Sequence, residues 1–303
     1  MKSKNLLFQE SFCRDAVNRT SLKDFTKFID LNNKKLKKIE AMLFGNFQST
    51  KFGSGFDFNE IREYKMGDDL RHISWSTTAK TGSLHTKEYY SEKEIRTYFL
   101  LDISNSMLCG NKLEPFLKLF AYLLLISNGF SEKTGGIFFT SKIKYNFQLG
   151  QAKTQTNLMF QTLIDILMNL NVNEKEMTSY NKTNIGKALE FSNEYFKKKG
   201  LVFIISDFVS LLPENWQKIL FNTSQKQNIY SFQIYDPLDF ELPKSGYITL
   251  IDPETNKRII VNTDSSLVQK NYIKLMKHKQ DKLAQFLRTT GINHIQIQKS
   301  DFI

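Results

Sequence analysis

From residue 94 onward the hydrophobic positions alternate between two patterns. Short continuous apolar runs, each ending in a polar loop, occur at 95–103 (IRTYFLLDI), 135–141 (GGIFFTS), 200–208 (GLVFIISDF), 228–236 (NIYSFQIYD) and 293–298 (NHIQIQ). Runs of this kind predict strands buried on both faces of a parallel sheet. Between them lie stretches with helical spacing at 114–130, 156–170, 184–199, 213–221 and 265–289. Pro213 sits near the first turn of the fourth, where its missing N–H is no loss. The segment KYNFQLG at 144–150 predicts an antiparallel edge strand, and 247–261 a hairpin around DPETNK. Strands alternating with helices predict an α/β fold, an open and mostly parallel sheet flanked by helices on both faces.

The chain before residue 95 has a different texture. Residues 1–50 are basic and helical in pattern. Ser21 is placed to cap one helix whose apolar positions are Leu22, Phe25, Phe28, Ile29, Leu36, Ile39 and Leu43, with Gly45 ending it. Residues 51–94 are punctuated by Gly53, Gly55, Gly67 and Gly82 and show little helical period, which predicts turns and short strands. The expected organisation is a helical segment at 1–50, a segment of turns and short strands at 51–94, and an α/β domain at 95–303.

Composition narrows the function classes. A net charge of +11 favours an acidic partner, yet the lysines are scattered and not interleaved with stacking aromatics, which disfavours nucleic acid. Cys13 and Cys109 stand alone, with neither metal-site nor disulfide spacing, as in a reducing cytosol. The N-terminus lacks the apolar core of a signal peptide, and the apolar stretch at 116–130 is interrupted by Lys118 and is shorter than a bilayer span. These features predict a cytoplasmic protein without a transmembrane segment.

Candidate chemistry gathers where the apolar runs end. The first ends in Asp102-Ile103-Ser104-Asn105-Ser106, the run at 200–208 carries Asp207, and Thr183 opens a helix in TNIGKALEF. In open α/β sheets ligands bind at the carboxyl ends of the strands, so these loops are expected on one edge. Carboxylates with hydroxyls form a hard-oxygen set suited to Mg²⁺. The same residue types also serve as ordinary helix caps and turn formers. His72 and His85 have no second His or Cys at ligand spacing and read as ordinary histidines.

The motifs DISNS, TNIGKAL and VFIISDF together resemble the von Willebrand factor A fold with its metal-dependent adhesion site. Upstream, Gly53 and Gly55, Arg62-Glu63-Tyr64, Gly67-Asp68-Asp69 and Arg71-His72-Ile73-Ser74-Trp75 resemble the signature of a bacterial family, domain of unknown function fifty-eight. Asp236-Pro237, Glu241-Leu242-Pro243, Gly246 and Asp252-Pro253-Glu254-Thr255 match its tail. The resemblance covers roughly 45–300. Ser74 departs from it, standing where the family usually has Asp. The resemblance implies a von Willebrand factor A-like domain that binds one Mg²⁺ (or Mn²⁺) through Asp102, Ser104, Ser106, Thr183 and Asp207, with Asp102 and Asp207 acting mostly through water. It implies a non-enzymatic adaptor whose metal is completed by an acidic residue of a protein partner, a MoxR-type AAA+ ATPase or its client, in chaperone-like assembly or stress response. Two other classes stay open: a metal-dependent hydrolase, and a nucleic-acid binder using the basic helices at 21–43 and 265–289. The first lacks GxxxxGK, GxSxG and HExxH motifs.

Overall fold

The computed structural model describes residues 33–48, 58–89, 94–108, 110–172, 183–208, 215–251 and 258–302, with Leu22, Ile29 and Asp30 before them. Ser21, Phe25, Phe28, Gly53, Gly55, Pro213, the hairpin tip at 252–257 and both cysteines lie outside the described residues. Contacts divide the chain into two units, residues 34–94 and residues 95–303 together with the described positions before 34.

The smaller unit begins with helix α1 (Lys34–Gln48), which buries Leu36, Ile39 and Leu43. The expected single helix from Ser21 is corrected. Ile29 lies in a bend, the Asn33 amide donates to the Asp30 carbonyl, and the helix starts at Lys34. Asp and Asn at 30 and 33 favour a local turn over a continuing helix. Nor does Gly45 end α1, which continues to Gln48. Strands β1 (Phe58–Glu63) and β2 (His85–Tyr89) pair antiparallel. Between them a short 3-10 turn (Leu70–His72) leads into helix α2 (Trp75–Thr81), an element the glycine pattern did not predict. Gly82 closes α2 in the left-handed conformation, φ 76°.

Ion pairs fix the turns of this unit. The Arg62 guanidinium donates to both oxygens of Asp68, at 2.8 and 2.9 Å, and its Nε lies 3.5 Å from Glu88. Asp68 also accepts from the Lys65 amide, and Arg62 with this bond holds its carboxyl down at about 2. Asp69 caps the 3-10 turn by accepting from the Arg71 amide. Ser74, buried, bonds Thr77 Oγ1 at 3.0 Å through its hydroxyl.

The larger unit is built on a six-stranded sheet. Its strands are β3 (Arg96–Asp102), β4 (Lys133–Phe139), β5 (Ile143–Gln151), β6 (Leu201–Ser206), β7 (Asn228–Ile234) and β10 (Asn293–Ile297). The spatial order is β10-β7-β6-β3-β4-β5, all parallel except β5, which pairs antiparallel with β4 at the edge. A separate hairpin, β8 (Tyr247–Ile251) and β9 (Arg258–Asn262), is inserted before the last helix. This is the mixed α/β architecture the alternating pattern predicts, including the antiparallel edge strand.

Strand alternation sorts the core into two layers. Tyr98, Leu100, Val202, Ile204 and Ile229 join a cluster with Ile185, Ala188 and Leu189 of helix α6 (Ile185–Tyr195), Trp216 and Leu220 of α7 (Trp216–Lys226) and Leu287 of α8 (Ser266–Thr289). The intervening Phe99 meets Phe203 at 5.3 Å and Phe120 of α4 (Leu113–Phe130) at 5.7 Å, both edge-on, and Phe120 meets Phe138. Helix α5 (Ala152–Val172) lies against β4 and β5. By length and composition α4 alone among the described helices could cross a membrane. Here it is a core helix with Phe116, Leu117, Phe120 and Leu124 fully buried.

Two expected outcomes follow from this packing. A Cβ at Gly136 would stand 2.7 Å from the Phe99 carbonyl oxygen and 3.0 Å from Phe99 Cβ, so Gly136→Ala should lower the unfolding free energy by about 1–3 kcal/mol in urea titration. Arg62→Ala should lower the melting temperature, and Arg62→Lys should fail to restore it, since an ammonium cannot reproduce the two-point contact with Asp68.

Candidate metal centre

The direction of strand succession reverses between β3 and β6: from β3 the order runs outward through β4 and β5, from β6 through β7 and β10. Such a switch point leaves a crevice at the carboxyl ends, because the loops leave the sheet in opposite directions. Asp102 is the last residue of β3, and Asp207 follows the last residue of β6.

Asp102 is fully buried, and the sequence around it supplies donors to both oxygens. The Ser104 amide donates to Oδ1 at 3.0 Å as the chain curls into the short helix α3 (Asn105–Leu108). Thr183 donates its hydroxyl to the same oxygen at 3.4 Å. Thr183 reaches it because it does not cap α6; Asn184 does, its side chain accepting from the Lys187 amide. The Ser106 hydroxyl lies 3.0 Å from that of Ser104. Asp102, Ser104, Ser106 and Thr183 thus form one linked cluster. Asp207 stands close enough for its charge to act on Asp102.

Four neighbours escaped the sequence reading. Ser206 donates to Asp102 Oδ2 at 2.6 Å and accepts from the Phe208 amide. Phe208 turns the chain at φ 54°, a left-handed conformation uncommon for a bulky residue. Gln233 Nε2 donates to the Asp207 carbonyl at 3.1 Å. Lys112 donates to Asp207 Oδ2 at 3.0 Å and lies 2.9 Å from Asp239 Oδ2. Ser206 was legible, being a hydroxyl at the end of an apolar run beside Asp207. Lys112 was not, since a lone lysine before a helix ordinarily reads as solvated.

Burial pushes the Asp102 carboxyl up, and the charge of Asp207 adds to this. Hydrogen bonds from Ser206 and Ser104 oppose it, and the balance lies at about 7. For Lys112, burial opposes the charge, but Asp207 and Asp239 outweigh it and hold the ammonium above the ordinary lysine range.

Chemically the donor set is of the hard-oxygen kind that suits Mg²⁺, two carboxylates and three hydroxyls, with the Ser104 and Ser106 hydroxyls hydrogen-bonded to each other at 3.0 Å. Among the described residues no three His, Cys, Asp or Glu side chains are grouped to hold a metal, so any site here rests on hydroxyls combined with two carboxylates.

The family model described as "Protein of unknown function DUF58" matches residues 60–282. An uncharacterized protein of Mycobacterium tuberculosis is 22% identical over 258 residues, covering 84% of this chain and 78% of the relative. One of Mycobacterium avium is 30% identical over 95 residues, 31% of this chain and 54% of the relative. Among solved structures, an aerotolerance-related membrane protein from Bacteroides fragilis is 14% identical, with TM-score 0.42, covering 68% of this chain and 93% of that one. The conserved hypothetical protein BatB from Bacteroides thetaiotaomicron is 13% identical, with TM-score 0.36, covering 65% and 98%. A von Willebrand factor type A protein from Catenulispora acidiphila is 14% identical, with TM-score 0.34, covering 61% and 41%.

The raised Asp102 pKa sets a pH dependence. The native carboxyl holds its proton up to about 7, whereas the unfolded one releases it near 3.8. Between these values the native state binds more protons, so this contribution is full below the lower value and lost as pH rises through the upper. Buried His294, depressed to about 4, acts with the opposite sign over much of that window. The clean measurement is therefore the stability difference between wild type and Asp102→Asn in EDTA, which should shift in favour of the variant as pH rises from 4 to 8.

Proposed function

We propose that this chain, which belongs to the family of proteins of unknown function DUF58, is a non-enzymatic, cytoplasmic protein-binding adaptor that recognises an acidic residue of its partner through a divalent cation. The observation that carries this reading is the convergence of Asp102, Ser104, Ser106 and Thr183 at the switch point of the sheet, with Asp207 beside them. Ser104, Ser106 and Thr183 would contribute hydroxyl oxygens, and Asp102 and Asp207 the negative charge. Bound Mg²⁺ or Mn²⁺ would supply Lewis-acid attraction for one further oxygen ligand. Ser206 and the Ser104 amide fix the Asp102 carboxylate; Gln233 fixes the backbone at Asp207.

An acidic partner suits the charge of the chain, +11 overall, because complementary potentials favour encounter. The resemblance described above points to a MoxR-type AAA+ ATPase or its client as that partner, in chaperone-like assembly or stress response.

The test is calorimetric titration of Mg²⁺ and Mn²⁺ into the full chain, Asp102→Ala and Ser104→Ala, followed by capture of a purified MoxR-type ATPase in Mg²⁺ or EDTA. One cation per wild-type chain is expected, with at least tenfold weaker binding by each variant and capture only in Mg²⁺. Equal cation binding by all three proteins would remove the site. Equal capture in EDTA would remove the metal from recognition.

A further inference from the structure

Lys112 is the only buried Lys or Arg among the described residues. An ammonium taken out of water is strongly destabilising unless opposite charges meet it. Lys112 Nζ meets two, Asp207 Oδ2 at 3.0 Å and Asp239 Oδ2 at 2.9 Å. Each is anchored elsewhere. Asp239 belongs to a capping box, its Oδ2 accepting from the Asp236 amide at 3.0 Å, and its carbonyl accepts from the Tyr272 hydroxyl at 3.1 Å. The Asp207 carbonyl accepts from Gln233. One ammonium therefore ties together the chain after β3, the chain after β6 and the chain after β7, all at the carboxyl edge of the sheet.

The charges give this tie a second meaning. Asp207 acts on Asp102 and binds Lys112, and Lys112 also binds Asp239. The cluster thus holds three carboxyl groups and one ammonium. Without the ammonium, Asp207 and Asp239 would lose the cation they share, and their like charges would repel each other at close range.

We propose that Lys112 is the resident counter-cation of the strand-end site: it keeps Asp207 and Asp239 assembled when no divalent ion is bound, and by its own charge it holds divalent affinity low. This rests on the reading of the cluster as a cation site. It makes the site permanently built yet weakly binding, so a divalent ion is held firmly only when a partner carboxylate adds its charge. Lys112 acts through Asp207 and is a positioning residue, not a metal ligand.

The experiment compares wild type, Lys112→Met and Lys112→Met/Asp239→Asn by thermal melting in EDTA and in Mn²⁺, with Mn²⁺ affinity measured by calorimetry. Methionine keeps the unbranched stem and removes the charge. Wild type should melt at nearly the same temperature in both conditions. Lys112→Met should melt well below it in EDTA, recover most of the loss in Mn²⁺, and bind Mn²⁺ roughly tenfold more tightly, since one nearby like charge has been removed. Adding Asp239→Asn should restore part of the loss in EDTA, because a carboxylate leaves with the ammonium.

A Lys112→Met protein that melts like wild type in EDTA would overturn the proposal. So would a loss that neither Mn²⁺ nor Asp239→Asn repairs, or Mn²⁺ binding no tighter than wild type. Should Lys112→Met not accumulate folded, refolding reads the same question: recovery only with Mn²⁺ supports the proposal, and failure in both conditions overturns it. If Lys112→Met takes Mn²⁺ while wild type takes none and captures the ATPase equally in Mg²⁺ and EDTA, the resident cation stands and the metal-dependent adaptor falls. If wild type takes Mn²⁺ and Lys112→Met matches it in every respect, only the resident cation falls.

Discussion

A carboxylate at the end of a central parallel strand constrains everything around it. β3 is paired on both sides, by β4 and by β6, and its residues from Thr97 to Asp102 are all buried. Asp102 therefore cannot turn to bulk water, and a buried acceptor left without a donor costs about 1–3 kcal/mol, more if charged. The local structure meets that demand from three directions: the curl of the chain at Ser104, the hydroxyl of Ser206 on the adjacent strand, and Thr183 before α6. The division of labour at α6 follows from it. Asn184 takes the capping role and Thr183 turns inward. The loops are shaped as much by this one buried group as by their own turn propensities.

The sheet was legible because its signal is redundant. Each of β3, β4, β6 and β7 reads as a continuous apolar run, and such runs have few alternatives to a strand buried on both faces. The edge strand β5 was legible for the complementary reason: outside Phe147 its residues are at least partly exposed. The smaller unit was harder. Helix α2 carries the sequence WSTTAKT, poor in helix formers and with Trp75 exposed, so neither propensity nor period marks it. The start of α1 was missed because Leu22, Ile29, Leu36, Ile39 and Leu43 fit one helical stripe, and the stripe concealed the turn at Asp30 and Asn33. Periodicity reports which positions are buried; it does not report that the chain is continuous between them.

At the site, residue types were legible and charge balance was not. The five oxygen-bearing residues stand at strand ends and helix starts that a strand-and-helix reading places on one edge. What periodicity cannot reveal is a partner supplied from another loop, and Lys112 and Asp239 come from different loops than Asp207. α4 shows the same limit. A window of eighteen residues with few charges satisfies a membrane criterion and a core criterion equally. The contacts show how it packs: Lys118 pairs with Glu114 at 2.8 Å and lies 5.8 Å from the ring of Phe302, so the two charges within the stretch are accommodated within the fold.

The composition of the cluster bears on what it can hold. Its hydroxyls, from Ser104, Ser106, Thr183 and Ser206, outnumber the two carboxylates beside them. Neutral oxygen donors add coordination without adding charge. A cage of four or five carboxylates would keep a divalent cation by charge alone and leave it no appetite for another anion. Asp102 and Asp207 together bring at most two negative charges, and Lys112 returns one positive charge at 3.0 Å from Asp207. With Asp239, which shares the ammonium at 2.9 Å, the wider cluster carries at most two net negative charges. On the proposed reading a divalent ion placed here is therefore at best neutralised, and Lys112 removes the excess negative charge that would hold it without a partner's carboxylate. The buried lysine is then part of the recognition chemistry as well as of the fold, because it sets how much charge the site still lacks.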